Sequence, residues 1–192
     1  MTERRHPHIF VAVPLPDKMK SVLSESSQGL RKHWQFRKWV DPADYHITLQ
    51  FLGGCPPEQV EAVKQQLSQA VLHIKPFIIS IDRLGFFGQR RRPRILWAGI
   101  SGDLPTLRRL QQNVVAVLEP LGFAKENRPY RPHITLAKKY QRNDFPFDRL
   151  ESFQLTVDKE TTWQVREIVL YQTHLGQSPM YEVLKRYLFS LS

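Results

Sequence analysis

The tetrapeptide His46-Ile47-Thr48-Leu49 recurs unchanged as His133-Ile134-Thr135-Leu136. Successive side chains of a β-strand point to opposite faces, so each copy puts an imidazole and a hydroxyl on one face and two apolar anchors on the other. One copy of so short a motif carries little weight, but two identical copies in apolar settings point to a site built from two histidines. Imidazole has an ordinary pKa of about 6.5, so near neutral pH one of a pair can take a proton while the other gives one. Phosphodiester cleavage needs that division. Water loses a proton as it attacks phosphorus and the departing alkoxide gains one, each assisted step contributing about 10²- to 10⁴-fold. Thr48 and Thr135 can hydrogen-bond the non-bridging phosphoryl oxygens. Arg131, two residues before His133, can add charge facing the anionic transition state, although strand alternation and Pro132 leave its direction open.

Other chemistries fit less well. Catalytic zinc usually takes three protein ligands, often with a carboxylate at fixed spacing; Asp44 near the first copy has no counterpart near the second, so no metal and no cofactor is expected. No glycine-rich phosphate loop or dinucleotide fingerprint is present, and Gly53-Gly54 reads as a strand-ending turn. The single cysteine, Cys55, excludes an internal disulfide and lacks a local activating partner, so it reads as a reduced, unmodified thiol. His6, His8, His33 and His73 read as surface or helix-end residues, His174 as structural or rim, and the four tryptophans as core or cleft wall.

The elements that must carry the motifs follow from periodicity. His8 to Val13 reads as a strand closed by Pro14 and Pro16; Asp17 then caps a helix with Met19, Val22, Leu23, Ser26 and Leu30 on one side. The first motif strand runs from about Tyr45 to Leu52. Val60, Val63, Leu67, Ala70 and Val71 trace a second helix before a strand from Phe77 to Leu84, and Gly85 to Pro93 reads as a basic loop. Arg94 to Ile100 is a strand, Leu104 to Leu121 a third helix ended by Gly122, and the second motif strand follows. Further strands are expected at Phe153 to Val157, Glu167 to Tyr171 and Tyr181 to Phe189. Strand, helix and motif strand thus recur at nearly equal spacing, which suggests an internal duplication within one domain spanning 1–192. A pseudo-two-fold axis would make the two motifs face each other.

At 192 residues, 41% hydrophobic and 24% charged, the chain has the composition of a globular domain. No apolar run approaches the roughly 18 residues a membrane span requires, and the start does not read as a signal sequence, so a cytoplasmic protein without membrane contact is expected. The net charge of +10 favours a polyanionic partner, nucleic acid first. Its densest cluster is Arg90-Arg91-Arg92 with Arg94, read either as a solvated loop or as an RNA-contacting one. No protein partner is expected.

The chain resembles the two-histidine phosphoesterases, and within them the bacterial and archaeal RNA 2′,3′-cyclic phosphodiesterases once described as 2′-5′ RNA ligases. The resemblance rests on Ile9 to Val13, on His46-Ile47-Thr48-Leu49-Gln50-Phe51-Leu52-Gly53, on Arg131-Pro132-His133-Ile134-Thr135-Leu136, and on the closing Leu170 to Leu175 with Tyr181 to Leu184. It implies an α+β, bilobal fold: two pseudo-symmetric antiparallel-sheet lobes with outer helices around a central cleft. It also implies that His46 is the proton donor and His133 the proton acceptor, and that a terminal 2′,3′-cyclic phosphate on RNA opens to a 2′-phosphate. Phe51, placed on the same strand face as Thr48, is read either as a stacking platform for the terminal base or as a core aromatic. Alternatives are a 2′-5′ oligonucleotide or small cyclic-phosphate phosphodiesterase, reversible ligation, and a non-catalytic RNA-end-binding module. The intact His/Thr pair in both halves favours an enzyme.

Overall fold

A computed structural model describes residues 6–150 and 161–190. Three helices form where the sequence has apolar residues at helical spacing: α1 (Asp17–Arg31), α2 (Pro57–Ala70) and α3 (Leu104–Leu118). Met19, Leu23, Ser27 and Leu30 form the buried stripe of α1. Ser27 replaces the expected Ser26 there, because its hydroxyl meets the Tyr45 hydroxyl at 3.0 Å while Ser26 bonds back to the Val22 carbonyl. Pro16 precedes the helix as its cap residue, and Asp17 is its first residue, where a carboxylate complements the positive end of the helix dipole. In α3 the Asp103 side chain accepts from the Thr106 amide at 3.0 Å. A short 3-10 turn (Glu119–Leu121) prolongs α3, and Gly122, at φ 91°, ends it in the left-handed region that favours glycine. Each fully buried leucine on these stripes, such as Leu23, Leu67 or Leu110, contributes about 1.5 to 3 kcal/mol by leaving water.

The strands are β1 (His8–Pro14), β2 (Phe36–Trp39), β3 (His46–Gly54), β4 (Phe77–Gln89), β5 (Arg92–Gly102), β6 (His133–Tyr140), β7 (Thr162–Val165), β8 (Glu167–Thr173) and β9 (Tyr181–Leu188). They pair in the order β7-β4-β5-β6-β3-β1-β8-β9, with β2 beside β6, and every pairing is antiparallel. The order is symmetric about the β6-β3 junction. One lobe is β3-β1-β8-β9 and the other is β6-β5-β4-β7 with β2. Each lobe draws on both halves of the chain, since β4 crosses into the second lobe and β8 and β9 return to the first. The helices cover one side of the curled sheet with Ile9, Val11, Val13, Ile47, Leu49, Leu96, Ile134 and Leu136 beneath them, and the concave side is left to the motif side chains.

Three further segments differ from expectation. Gly85 to Pro93 is no loop: β4 and β5 run on as a long hairpin to a turn at Arg90 and Arg91. Gly85, Gly88 and Arg92, which read as loop composition, are strand residues here, and only Arg90 and Arg91 form the turn. Gly85 sits opposite Trp97, whose ring fills the space that a β-carbon on Gly85 would take, so the glycine makes room for an indole. The strands β2 and β7, four residues each, are too short to show a period and carry no signal in the sequence. The expected strand at Phe153 to Val157 lies outside the described residues. No described helix is long and apolar enough to cross a membrane.

Candidate active site

The two motifs meet at one point, the antiparallel contact of β3 and β6 with Ile47 opposite Ile134. Both isoleucines are fully buried on the helix side. Their neighbours His46, Thr48, His133 and Thr135 therefore emerge together on the concave face, His46 level with Thr135 and Thr48 level with His133. All four are half-buried. The register of one residue pair thus places two imidazoles and two hydroxyls around a shared space.

Both rings are held the same way. His46 Nδ1 lies 2.7 Å from the Asp44 carbonyl and His133 Nδ1 lies 2.7 Å from the Arg131 carbonyl. A carbonyl can only accept, so each Nδ1 donates, and in the neutral ring Nε2 is left as the acceptor. The Thr48 hydroxyl then donates to His46 Nε2 at 3.0 Å. The surroundings of the rings differ. His46 is packed by Phe10, Tyr181 and Tyr171 at centroid distances of 4.8, 5.2 and 6.2 Å. Phe87 and Trp97 flank His133 at 4.9 and 6.3 Å. Burial lowers the pKa of both, and for His46 the nearby positive charges of Lys138 and His133 push the same way, to about 4, against the Asp44 hydrogen bond.

The sequence pattern alone does not reveal Lys138. Strict alternation from His133 places Ala137, not Lys138, on the site face. A bulge between the Leu96-Ala137 and Trp97-Thr135 pairs inserts Leu136, so Ala137 turns to the core and Lys138 to the concave face. Burial lowers the Lys138 pKa, with Lys38 and Lys139 adding to it. A second bulge acts on Phe51. Three residues after Thr48, it would alternate to the far face, but the register shift between Val11 and Ala12 returns it opposite Phe10 on the concave side. Phe51 is 63% exposed, which removes the core reading.

Arg131 is exposed just before β6, and it is its carbonyl that touches a motif side chain. Asp44 is buried, and its carboxylate accepts the Met180 amide at 2.9 Å and the Tyr181 amide at 3.2 Å, tying the start of β9 to the turn that carries His46. Asp44 and Phe87 carry no local sequence signal for this role, and Tyr171 and Tyr181, though in the closing segments that carry the resemblance, carry none for packing on His46, because their partners are distant in the chain. His174 pairs with Glu182 at 2.6 Å on the rim. Trp34 and Trp163 are core, while Trp97 forms part of the cleft wall. Cys55 is buried, and burial pushes its thiol up, away from nucleophilic use. Among the described residues no three His, Cys, Asp or Glu side chains gather as metal ligands.

A family profile described as the 2′-5′ RNA ligase superfamily matches residues 21–177. The chain is 37% identical over 177 residues to an RNA 2′,3′-cyclic phosphodiesterase of Geobacillus stearothermophilus, covering 92% of this chain and 55% of that protein. It is 34% identical over 184 residues to one from Bacillus subtilis, covering 96% of this chain and 97% of that protein. Among solved structures, a protein of Thermus thermophilus is similar at a TM-score of 0.75 and 24% identity, with 95% of this chain and 97% of that one covered. Apo LigT of Escherichia coli is similar at 0.74 and 23%, with 97% and 99% covered. At these identities the structures speak to the fold.

Proposed function

The chain belongs to the 2′-5′ RNA ligase superfamily, and on that premise we propose that it hydrolyses the 2′,3′-cyclic phosphate at an RNA end to a 2′-phosphomonoester. The observation that carries the reading is the Ile47-Ile134 register, which gathers both His/Thr pairs on one face. His133, its Nδ1 proton held by the Arg131 carbonyl, takes a proton from the attacking water at Nε2. Water oxygen bonds to phosphorus as the bond from phosphorus to the 3′-oxygen breaks. His46 delivers its Nε2 proton to that leaving oxygen. Thr48 and Thr135 bind the non-bridging oxygens and the Lys138 ammonium offsets the growing negative charge.

His46 must be charged to act as the acid, yet its protein surroundings hold it neutral at pH 7. A phosphate anion beside it favours the charged ring against the burial, chiefly, and the two cations that depress it, so substrate binding raises the His46 pKa toward that of a working acid. The two carboxylate-free motifs do this work without a metal. We read the matched lobes as an internal duplication within one domain over 1–192. Reduced Cys55 and an RNA substrate fit a cytoplasmic enzyme.

The test is incubation with RNA ending in a 2′,3′-cyclic phosphate, with EDTA present, and resolution of the products. A 2′-monoester with undiminished rate is expected. Preferential turnover of 2′-5′-linked dinucleotides or small cyclic phosphates would move the site to another substrate, and restoration by one divalent ion after chelation would end the metal-free mechanism. Binding of the RNA end with no turnover of any of these would leave a recognition module.

A further inference from the structure

We infer that the RNA preceding the cyclic end runs along the concave face of the second lobe and that Arg92 and Arg94, on the β4-β5 hairpin, hold its phosphates. This rests on the proposed reaction and names which part of the substrate the surface takes. The two lobes present different chemistry beside the same pair of histidines. In the first lobe the concave face offers Phe51 and Val183, 63% and 40% exposed, and its arginine, Arg186, is bound to Glu167 at 2.7 Å. In the second, Lys38 is paired with Lys138 across β2 and β6, Ile95 lies opposite Lys138, and Phe87 lies opposite Ile95.

Farther out, Arg92 stands opposite Gln89, both exposed, while Pro93 beside it is buried, so Arg92 faces away from the core. A register shift between Phe87 and Gly88 leaves Arg94 unmatched, as a bulge does, and exposed. From Trp97 beside His133 to Arg92 is five strand residues, about 17 Å, within reach of a short single strand leaving the cleft. The path is built of aromatic rings near the chemistry and cations beyond it, the combination that binds single-stranded RNA without regard to sequence.

The hairpin tip is also fixed. The Phe145 amide donates to the Arg91 carbonyl at 3.0 Å, and the Arg90 guanidinium lies 3.2 Å over the Phe147 ring and 3.6 Å from the Asp148 carboxylate. Arg90 is committed to holding the tip, which separates it from the other arginines of the cluster. A paired strand presents its cations without the backbone ordering cost of a loop that must be frozen on binding, so only the side chains lose freedom.

The experiment compares kcat/KM for an oligoribonucleotide of about eight residues ending in a 2′,3′-cyclic phosphate with that for the corresponding cyclic mononucleotide, across a salt series. Wild type is set against Arg92→Ala/Arg94→Ala and against Arg108→Ala/Arg109→Ala. The latter removes the same charge from exposed positions on α3, on the opposite side of the sheet. The hairpin variant should cut the oligonucleotide advantage on the order of tenfold at low salt and flatten its log–log salt slope by about 1.4, two contacts at about 0.7 each. The α3 variant should leave the advantage in place. An unchanged advantage in the hairpin variant, or an equal loss in both, overturns the path. Should the wild type turn over no cyclic phosphate, the proposed reaction fails instead; oligonucleotide binding against salt then reads the path alone, by the same slope.

Discussion

His46 and His133 stand on identical tetrapeptides, share one hydrogen-bonding scheme through Nδ1, and meet across a single strand pair, yet they occupy different media. Three aromatic rings enclose His46, and the turn that holds it is tied by the buried Asp44 carboxylate to the start of β9. Two rings flank His133, and the carbonyl that orients it belongs to an exposed residue. The repeat therefore keeps the geometry of the imidazole and not its dielectric surroundings. Proton affinity is set by those surroundings, so the two equivalent positions can hold unequal roles.

The largest effect expected is common to both. His46→Ala and His133→Ala should each lower turnover of an RNA 2′,3′-cyclic phosphate by about 10²- to 10⁴-fold with the fold retained by circular dichroism. The double variant should fall short of the product of the two losses, since the groups act on one transition state. A folded His133→Ala protein with full activity removes it from the chemistry.

The comparison sharpens when the leaving group no longer needs an acid. With sulfur in place of the bridging 3′-oxygen, a thiolate departs unprotonated, so His46→Ala should recover most of its loss. His133→Ala should remain impaired, because water must still surrender its proton. The reverse pattern would exchange the two roles and leave the pair standing.

Thr48 and Thr135 extend the comparison to smaller energies. Thr48→Val and Thr135→Val should each weaken transition-state binding by roughly 1 to 3 kcal/mol, the range for a lost hydrogen bond to a charged group. Thr48 also donates to His46 Nε2, so its loss should in addition shift the pH profile. Two profiles unmoved in shape would limit both threonines to binding oxygen.

The symmetric part of the molecule was legible in the sequence and the asymmetric part was not. The repeat, the alternation around Ile47 and Ile134, and the helical stripes of α2 and α3 are local patterns, and local patterns decide which face a side chain takes. Lys138 and Phe51 reach the cleft through bulges, which a strict period of two sends to the wrong face. Asp44 works through amides 136 and 137 positions away, a relation only the fold creates. The hairpin escapes a local reading for a related reason: its glycines and arginines have loop composition, but pairing of β4 with β5 draws all but Arg90 and Arg91 into strands, and Phe145 to Asp148 hold those two at the turn.

The last expected effect is on stability, and it follows from the enclosure of His46. Its pKa in the folded protein, about 4, lies below the ordinary value of 6.5. Above pH 6.5 the ring is neutral in folded and unfolded chains alike, and the protein has its full stability from this source. Between 6.5 and 4 the unfolded chain binds a proton that the folded one refuses, so stability falls as pH falls, by at most about 1.4 kcal/mol per pH unit for one proton. Below 4 both bind it and the loss levels off. His133, also lowered by burial, adds to the slope in the same direction. Urea denaturation at pH 7, 6 and 5 should therefore show a decline that His46→Gln flattens. Inorganic phosphate should flatten it too, by lifting the His46 pKa in the folded state, and a histidine NMR titration should show that upward move directly. A wild-type slope that neither the substitution nor phosphate alters would mean that His46 is not held neutral by its surroundings, and the difference between the two histidines would lose its electrostatic basis.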